Sequence, residues 1–130
     1  DPLWSRGLGD VYKRQPQQWA LEQADAVITH GGLNTVMDAI AARTPMLVMP
    51  IAFDQPGVAA RVAYRGVGSQ LSRRASAARI ESALRALLAQ PLPGFDALID
   101  ELQQAGGVTR AADIVEAAVV EHATTQAHTL

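Results

Sequence analysis

Two short apolar segments separated by a helical pattern constrain the fold of this chain more than any other feature. Ala26–Thr29 is a short apolar run with two β-branched residues and a threonine, and Met46–Pro50 is apolar on both faces, which is typical of buried strands. Between them, apolar residues recur with the spacing of one helix face: Val36, Met37, Ile40 and Ala41. With a further helix from Pro56, the order strand, helix, strand, helix fits into about forty residues, which predicts a parallel sheet with right-handed crossovers.

The rest of the chain is expected to be mostly helical. A short third strand is expected near Ser69–Leu71, after Gly66 and Gly68 stop the preceding helix. Three later sets of apolar residues repeat the helical spacing: Ile80, Leu84, Leu87, Leu88; Phe95, Leu98, Ile99, Leu102; Ile114, Val115, Ala118, Val119. Two or three strands make an incomplete sheet. The fold class expected is therefore α/β, a partial Rossmann-like parallel sheet that lacks its earlier strands and ends in several helices.

The boundaries of the domain follow from local composition. Asp1–Gln15 has no helical or strand period and resembles translated sequencing adaptor, so we set it aside and place the domain at residues 16–121. Gly106 and Gly107 are expected to end one helix, with Thr109 capping the next. The polar tail, residues 122–130, is expected to fray.

Composition excludes several classes of function. The chain has no cysteine, which rules out disulfides, thiolate metal sites and cysteine nucleophiles. Its longest apolar run is broken by Pro50 and falls short of the roughly 18 residues of a membrane span. The net charge is -2, and no basic stripe is interleaved with aromatics, which argues against a nucleic-acid partner. Arg73, Arg74 and Arg79 are interpreted as a solvated helix start, with a phosphate or lipid-headgroup patch as the alternative.

Polar residues and glycines collect after both predicted strands, at the edge of a parallel sheet where ligands bind. They are His30, Gly31, Gly32, Asn34 and Thr35 after the first strand, and Asp54 and Gln55 after the second. Glycines and a helix N-terminus suit a phosphate. Asp38, one turn beyond Asn34, can accept hydrogen bonds from vicinal hydroxyls, and the set together indicates a nucleotide.

Each feature also has a purely structural interpretation. Asn34 could simply cap its helix after a Gly-Gly turn, and His30 could be a satisfied packing residue. Asp54 and Gln55 could cap a helix that has Pro56 in its first turn.

The joint spacing from His30 to Gln55 resembles the nucleotide-sugar signature of the UDP-glycosyltransferases, which lies in the C-terminal half of a GT-B fold. Pro16-Gln17 is similar to the start of that signature. The stretches MDAIAARTPMLVMPIAFDQPGVAARVAYRGVG and AGGVTRAADIVEAAV are similar, more narrowly, to bacterial zeaxanthin glucosyltransferases. The resemblance covers Pro16 to about Glu121.

The resemblance implies a role for each matching residue. His30, the backbone of Gly31 and Gly32, and the side chains of Asn34 and Thr35 would hold the diphosphate. Asp38 would accept from the ribose hydroxyls, although the family commonly has glutamate there. Gln17 belongs to the same UDP-sugar site, and Asp54 and Gln55 would read the sugar, with glutamine favouring glucose.

The reaction implied is an inverting transfer of glucose from UDP-glucose to a carotenoid hydroxyl, without a metal or cofactor. The resemblance places the general base and the pocket for the lipophilic acceptor in an N-terminal domain that has no counterpart here, so we assign no catalytic residue and expect this chain alone to be inactive.

The uracil-stacking position falls near Arg14, and Trp19 is expected to pack. The parent protein is expected in the cytoplasm, with peripheral association at the membrane face. Alternatives are a macrolide, sterol or flavonoid acceptor, or a non-catalytic nucleotide-sugar-binding module.

Overall fold

The computed structural model describes residues 16–129. The segment interpreted as adaptor, Asp1–Gln15, lies outside them, as does the uracil-stacking position near Arg14. A helix, α1, covers residues 16–23. It is followed by β1 (Val27–Thr29), α2 (Leu33–Ala41), β2 (Met46–Val48), α3 (Gln55–Tyr64), β3 (Gly68–Gln70), α4 (Ala77–Ala89), α5 (Gly94–Gln104) and α6 (Gly107–Thr129).

The three strands form a parallel sheet in the order β1-β2-β3, as the strand and helix pattern predicts. Thr29 pairs with Val48, and Val48 pairs with Gln70, so the three carboxyl ends lie at the same edge. All three residues of β2 are fully buried, because a central parallel strand has a neighbour on each side and helices over its faces. The third strand begins one residue before its predicted start.

The first strand is less buried than the sequence predicts. Ile28, at the centre of β1, is 51% exposed, whereas Thr29 is buried. Among the described residues β1 pairs only with β2, so it forms an edge of the sheet. Ile28 is therefore an exposed apolar residue on an edge strand.

The described chain forms two compact units that divide between Ala97 and Leu98. The core of the first consists of apolar side chains from both faces of the sheet: Leu21, Val36, Ala39, Ile40, Met46, Leu47, Val48, Ala59, Val62, Val67, Leu87 and Phe95. Thr44 is also buried, and its hydroxyl donates to the carbonyl oxygen of Leu21 at 2.5 Å. That bond ties α1 to the turn before β2.

The second unit corrects two expectations. Residues 122–129 are helical and belong to α6, whose threonine hydroxyls donate to carbonyl oxygens one turn earlier, for example Thr125 to Glu121 at 3.0 Å. Thr109 lies inside the first turn of α6 and not at its cap. Ala105 and Gly106 separate the two helices and Gly107 begins α6; the two glycines have φ of 81° and 56°. Among residues 16–129 every helix is too short or too polar to cross a bilayer.

Candidate functional site

The turn between β1 and α2 requires glycine at position 31. Gly31 is buried with φ of 94°, and a Cβ there would lie 2.9 Å from Cγ1 of Val48. Its N–H donates to the hydroxyl of Thr29 at 3.2 Å. Any side chain at this position would be strained and would also press on the centre of the sheet.

The N-terminus of α2 has no side-chain cap. Gly32 occupies the N-cap position, no side chain accepts from the first-turn N–H groups, and no acidic residue lies in that turn. The capping interpretation of Asn34 is therefore wrong, because Asn34 lies in the first turn itself. His30 is exposed, and its Nε2 lies 3.1 Å from the position of a Cβ on Gly32. The free N–H groups and the imidazole lie together at the positive end of the helix dipole.

A cavity of about 450 Å³ adjoins this first turn. Its lining residues come from α1 and from one face of α2: Gln17, Asn34, Thr35, Met37 and Asp38. Nε2 of Gln17 donates to Oδ2 of Asp38 at 3.2 Å and lies 3.4 Å from the hydroxyl of Thr35. Four of the nine predicted site residues therefore meet in one cavity, of a size that small-molecule sites commonly have.

Met37 also lines this cavity, although the sequence pattern assigns it to the apolar face of α2. It is 39% exposed. The sequence could have predicted that Met37 lines the site, because Met37 lies three residues after Asn34 and therefore on the same side of the helix.

The loop after β2 carries the other two predicted residues. Asp54 occupies the N-cap position of α3, but its side chain makes no capping bond, so the capping interpretation of Asp54 is also wrong. Its carboxylate is exposed. Oε1 of Gln55 accepts from the N–H groups of Ile51 and Ala52, each at 2.9 Å. Pro56 lies in the first turn of α3, as predicted.

The two loops approach each other at Gly31 and Gln55. A Cβ on Gly31 would lie 3.5 Å from the carbonyl oxygen of Gln55 and 3.7 Å from its Cβ. His30 and Asp54 extend from the ends of neighbouring strands, outside the cavity. The predicted site thus consists of the cavity beside α2 and a second, exposed group at the end of β2.

Trp19 does not pack as predicted, because its side chain is 64% exposed. On α1, Leu21 faces the core and Gln17, one turn earlier, faces the cavity. Trp19 lies two residues after Gln17 and two before Leu21. Because two residues turn an α-helix by about 200°, the side chain of Trp19 points to the opposite side from both.

Within residues 16–129, no three histidine, aspartate or glutamate side chains lie close enough to hold a metal ion. That the reaction needs no metal or cofactor stays a prediction.

Comparison with known proteins matches residues 9–94 to the family model described as UDP-glucoronosyl and UDP-glucosyl transferase. A zeaxanthin glucosyltransferase of Pantoea ananas is 46% identical over 104 residues, which are 77% of this chain and 24% of that protein. A second, of Pseudescherichia vulneris, is 40% identical over 121 residues, which are 92% of this chain and 29% of that protein. The chain therefore spans about a quarter of the length of these relatives.

The fold has close counterparts among solved structures. The crystal structure of the glycotransferase of kitacinnamycin superposes with a TM-score of 0.73 at 35% identity, over 78% of this chain and 27% of that one. With residues 9–94 matched and relatives at 46% and 40% identity, the chain belongs to the UDP-glycosyltransferase family, with the fold of a GT-B glycosyltransferase.

Proposed function

We propose that this chain forms the UDP-glucose-binding half of an inverting glucosyltransferase that acts on a carotenoid hydroxyl. The observation that carries the proposal is the cavity lined by Gln17, Asn34, Thr35 and Asp38 beside the uncapped N-terminus of α2. Helix N–H groups without side-chain partners, next to hydroxyl and amide groups and one carboxylate, suit a ligand that carries both phosphate and vicinal hydroxyls.

The diphosphate is held at the first turn of α2. The N–H groups after Gly32 and the side chains of Asn34 and Thr35 donate to its oxygens, and His30 adds an imidazole donor from the exposed side. This arrangement places partial positive charge where negative charge develops as UDP leaves.

The hydroxyl groups of the donor are bound by carboxylates. Asp38 accepts from the ribose hydroxyls, and Gln17, which donates to Asp38 at 3.2 Å, orients its carboxylate. Asp54 and Gln55 bind the glucose hydroxyls at the end of β2. The Asp54 carboxylate accepts hydrogen bonds from the sugar hydroxyls.

In the reaction, the acceptor hydroxyl oxygen bonds to the anomeric carbon while the bond from that carbon to the phosphate oxygen breaks. The electron pair leaves with UDP, and the hydroxyl proton passes to a general base outside this chain. The described residues serve the leaving group, and the chain alone is expected to be inactive.

The acceptor is proposed from the relatives. Two proteins named zeaxanthin glucosyltransferase, at 46% and 40% identity, support glucose as the sugar and a carotenoid hydroxyl as the acceptor. A carotenoid dissolves in lipid, so the proposal places the reaction at the cytoplasmic face of a membrane.

The test uses the protein encoded by the complete reading frame, incubated with UDP-glucose and either zeaxanthin or a macrolide, with products identified by mass spectrometry. We expect zeaxanthin glucoside. Glucosylation of the macrolide alone would refute the carotenoid as the acceptor. No release of UDP with any acceptor would refute the transferase activity.

A matched pair of variants tests the donor site in the same assay. Asp38→Asn removes the charged acceptor for the ribose and is expected to raise KM for UDP-glucose about tenfold with a smaller change in kcat, because ribose is bound alike before and during transfer. Asp113→Asn, on the exposed helix α6, is the control and leaves both constants unchanged.

A further inference from the structure

The loop between β2 and α3 folds around one side chain, that of Gln55. Its Oε1 accepts from the N–H groups of Ile51 and Ala52, each at 2.9 Å, and its own N–H donates to the carbonyl oxygen of Ala52 at 3.3 Å. Only the oxygen of an amide can accept from an N–H, so these two bonds determine which way the amide is turned. Nε2 remains as the part of the side chain that a ligand can meet.

The loop that Gln55 holds has a strained backbone. Phe53 has φ of 59°, in the left-handed region that residues with a Cβ adopt rarely, and its side chain is 93% exposed. An aromatic ring so exposed gains almost nothing from burial, so the packing of Phe53 cannot hold this conformation. The hydrogen bonds on either side of Phe53 hold its conformation instead. Asp54 comes directly after Phe53.

The first loop lies next to Gln55 at Gly31. Gly31 lies against its main chain and Cβ, at 3.5 and 3.7 Å from where a Cβ of residue 31 would be. Gly31 is in turn held by the hydroxyl of Thr29. Gln55 therefore holds its own loop and lies beside the first loop at Gly31.

We propose that Gln55 is a positioning residue that fixes Asp54 through the loop, and that it offers the donor sugar only N–H groups. The inference deepens the proposed function and rests on it. Asp54 then accepts a hydrogen bond from one sugar hydroxyl, and the Gln55 side chain donates a hydrogen bond to another. A change at Gln55 weakens sugar binding mainly by releasing Asp54 and less by removing a direct contact.

Two substitutions separate these effects. Gln55→Glu keeps an oxygen that accepts from Ile51 and Ala52 but removes the N–H donors. Gln55→Met keeps the length and flexibility of the side chain and removes both the strong acceptor and the donors.

The first measurement needs no ligand. Hydrogen exchange of the complete protein, followed by mass spectrometry on peptides that cover residues 49–56, reports the Ile51 and Ala52 amides. We expect exchange about tenfold faster in Gln55→Met and unchanged within twofold in Gln55→Glu, from loss of a hydrogen bond at each amide. Equal exchange in Gln55→Met and the wild type would overturn the proposal.

The second measurement is calorimetric titration of the complete protein with UDP and with UDP-glucose. The ratio of the two affinities isolates the sugar and cancels the extra repulsion that Gln55→Glu exerts on the diphosphate. We expect Gln55→Met to reduce this ratio at least tenfold and Gln55→Glu to reduce it no more than threefold. Equal reductions in the two variants would mean direct contact alone and would overturn the positioning role.

Coupling to Asp54 completes the test. Asp54→Asn is expected to reduce the ratio in the wild type but to change it less than twofold when added to Gln55→Met, since the loop no longer holds residue 54. Additive losses would contradict the proposal. A wild-type protein that binds UDP-glucose no better than UDP would instead refute the proposed sugar site, whatever the exchange experiment shows.

Discussion

Gly31→Ala is expected to destabilise the first unit strongly. The backbone there has φ of 94°, which costs an L-residue about 1–3 kcal/mol. The new Cβ would also lie 2.9 Å from Cγ1 of Val48, a fully buried residue, and overpacking of that kind costs about 1–3 kcal/mol more. A total of about 4 kcal/mol is a large part of the ~5–15 kcal/mol that stabilises a typical domain.

Two other glycines separate the two contributions. Gly66 has φ of 69° but open space around its Cβ position, so Gly66→Ala carries the backbone cost alone, about 1–2 kcal/mol. Gly57 lies in α3 with ordinary φ and nothing within 4 Å of a Cβ. Gly57→Ala is therefore expected to stabilise the chain by about 0.5–1 kcal/mol through helix propensity.

Urea unfolding followed by circular dichroism measures all three variants. With a slope of about 2 kcal/mol/M, Gly31→Ala lowers the midpoint by about 2 M, Gly66→Ala by less than 1 M, and Gly57→Ala raises it slightly. A midpoint for Gly31→Ala equal to that of Gly66→Ala would refute the argument, because it would mean that Val48 yields to the new methyl at no cost.

Three further changes test other parts of the account by the same unfolding assay. Thr44→Val removes the hydroxyl that donates to the carbonyl of Leu21, which keeps the N–H of Ala24 as a donor, and is expected to cost about 1 kcal/mol; no loss would mean that this bond does not hold α1. Leu87→Ala empties a buried position and should cost about 2–5 kcal/mol, while its neighbour Leu88→Ala, 55% exposed, should cost clearly less, and equal costs would contradict the burial of α4. Ser76→Ala removes the N-cap of α4, whose hydroxyl accepts from a first-turn N–H at 3.3 Å, and should cost about 1 kcal/mol, whereas a neutral result would count against capping.

The sheet and the helices around it were predictable because their signals are local. Met46–Val48 is apolar at every position, as a parallel strand covered on both faces must be, and Pro56 marks the first turn of its helix. The placement of Asn34, Thr35 and Asp38 on one face of α2 follows from helical spacing alone.

Other features depend on contacts that spacing does not reveal. Oε1 of Gln55 bonds to its own loop, and the left-handed backbone of Phe53 is permitted only by that loop, so neither has a signature in residue order. Ile28 was expected to be buried because its strand is apolar. The composition of a strand does not show which strands or helices pack against it. The helix continues through residues 122–129, where the threonine hydroxyls bond to carbonyls one turn earlier, and the polar composition of the segment does not indicate it.

The central claim is that the turn after β1 and the first turn of α2 bind the diphosphate of a UDP-sugar. Calorimetric titration of the complete protein with UDP tests it most directly, in the wild type and with His30→Ala or Thr35→Val. His122→Ala, an exposed change on α6, is the control. The account predicts that UDP binds, that each site variant weakens binding about tenfold, and that the control binds as the wild type does. No UDP binding in the wild type, or binding that His30→Ala and Thr35→Val leave unchanged, would contradict it.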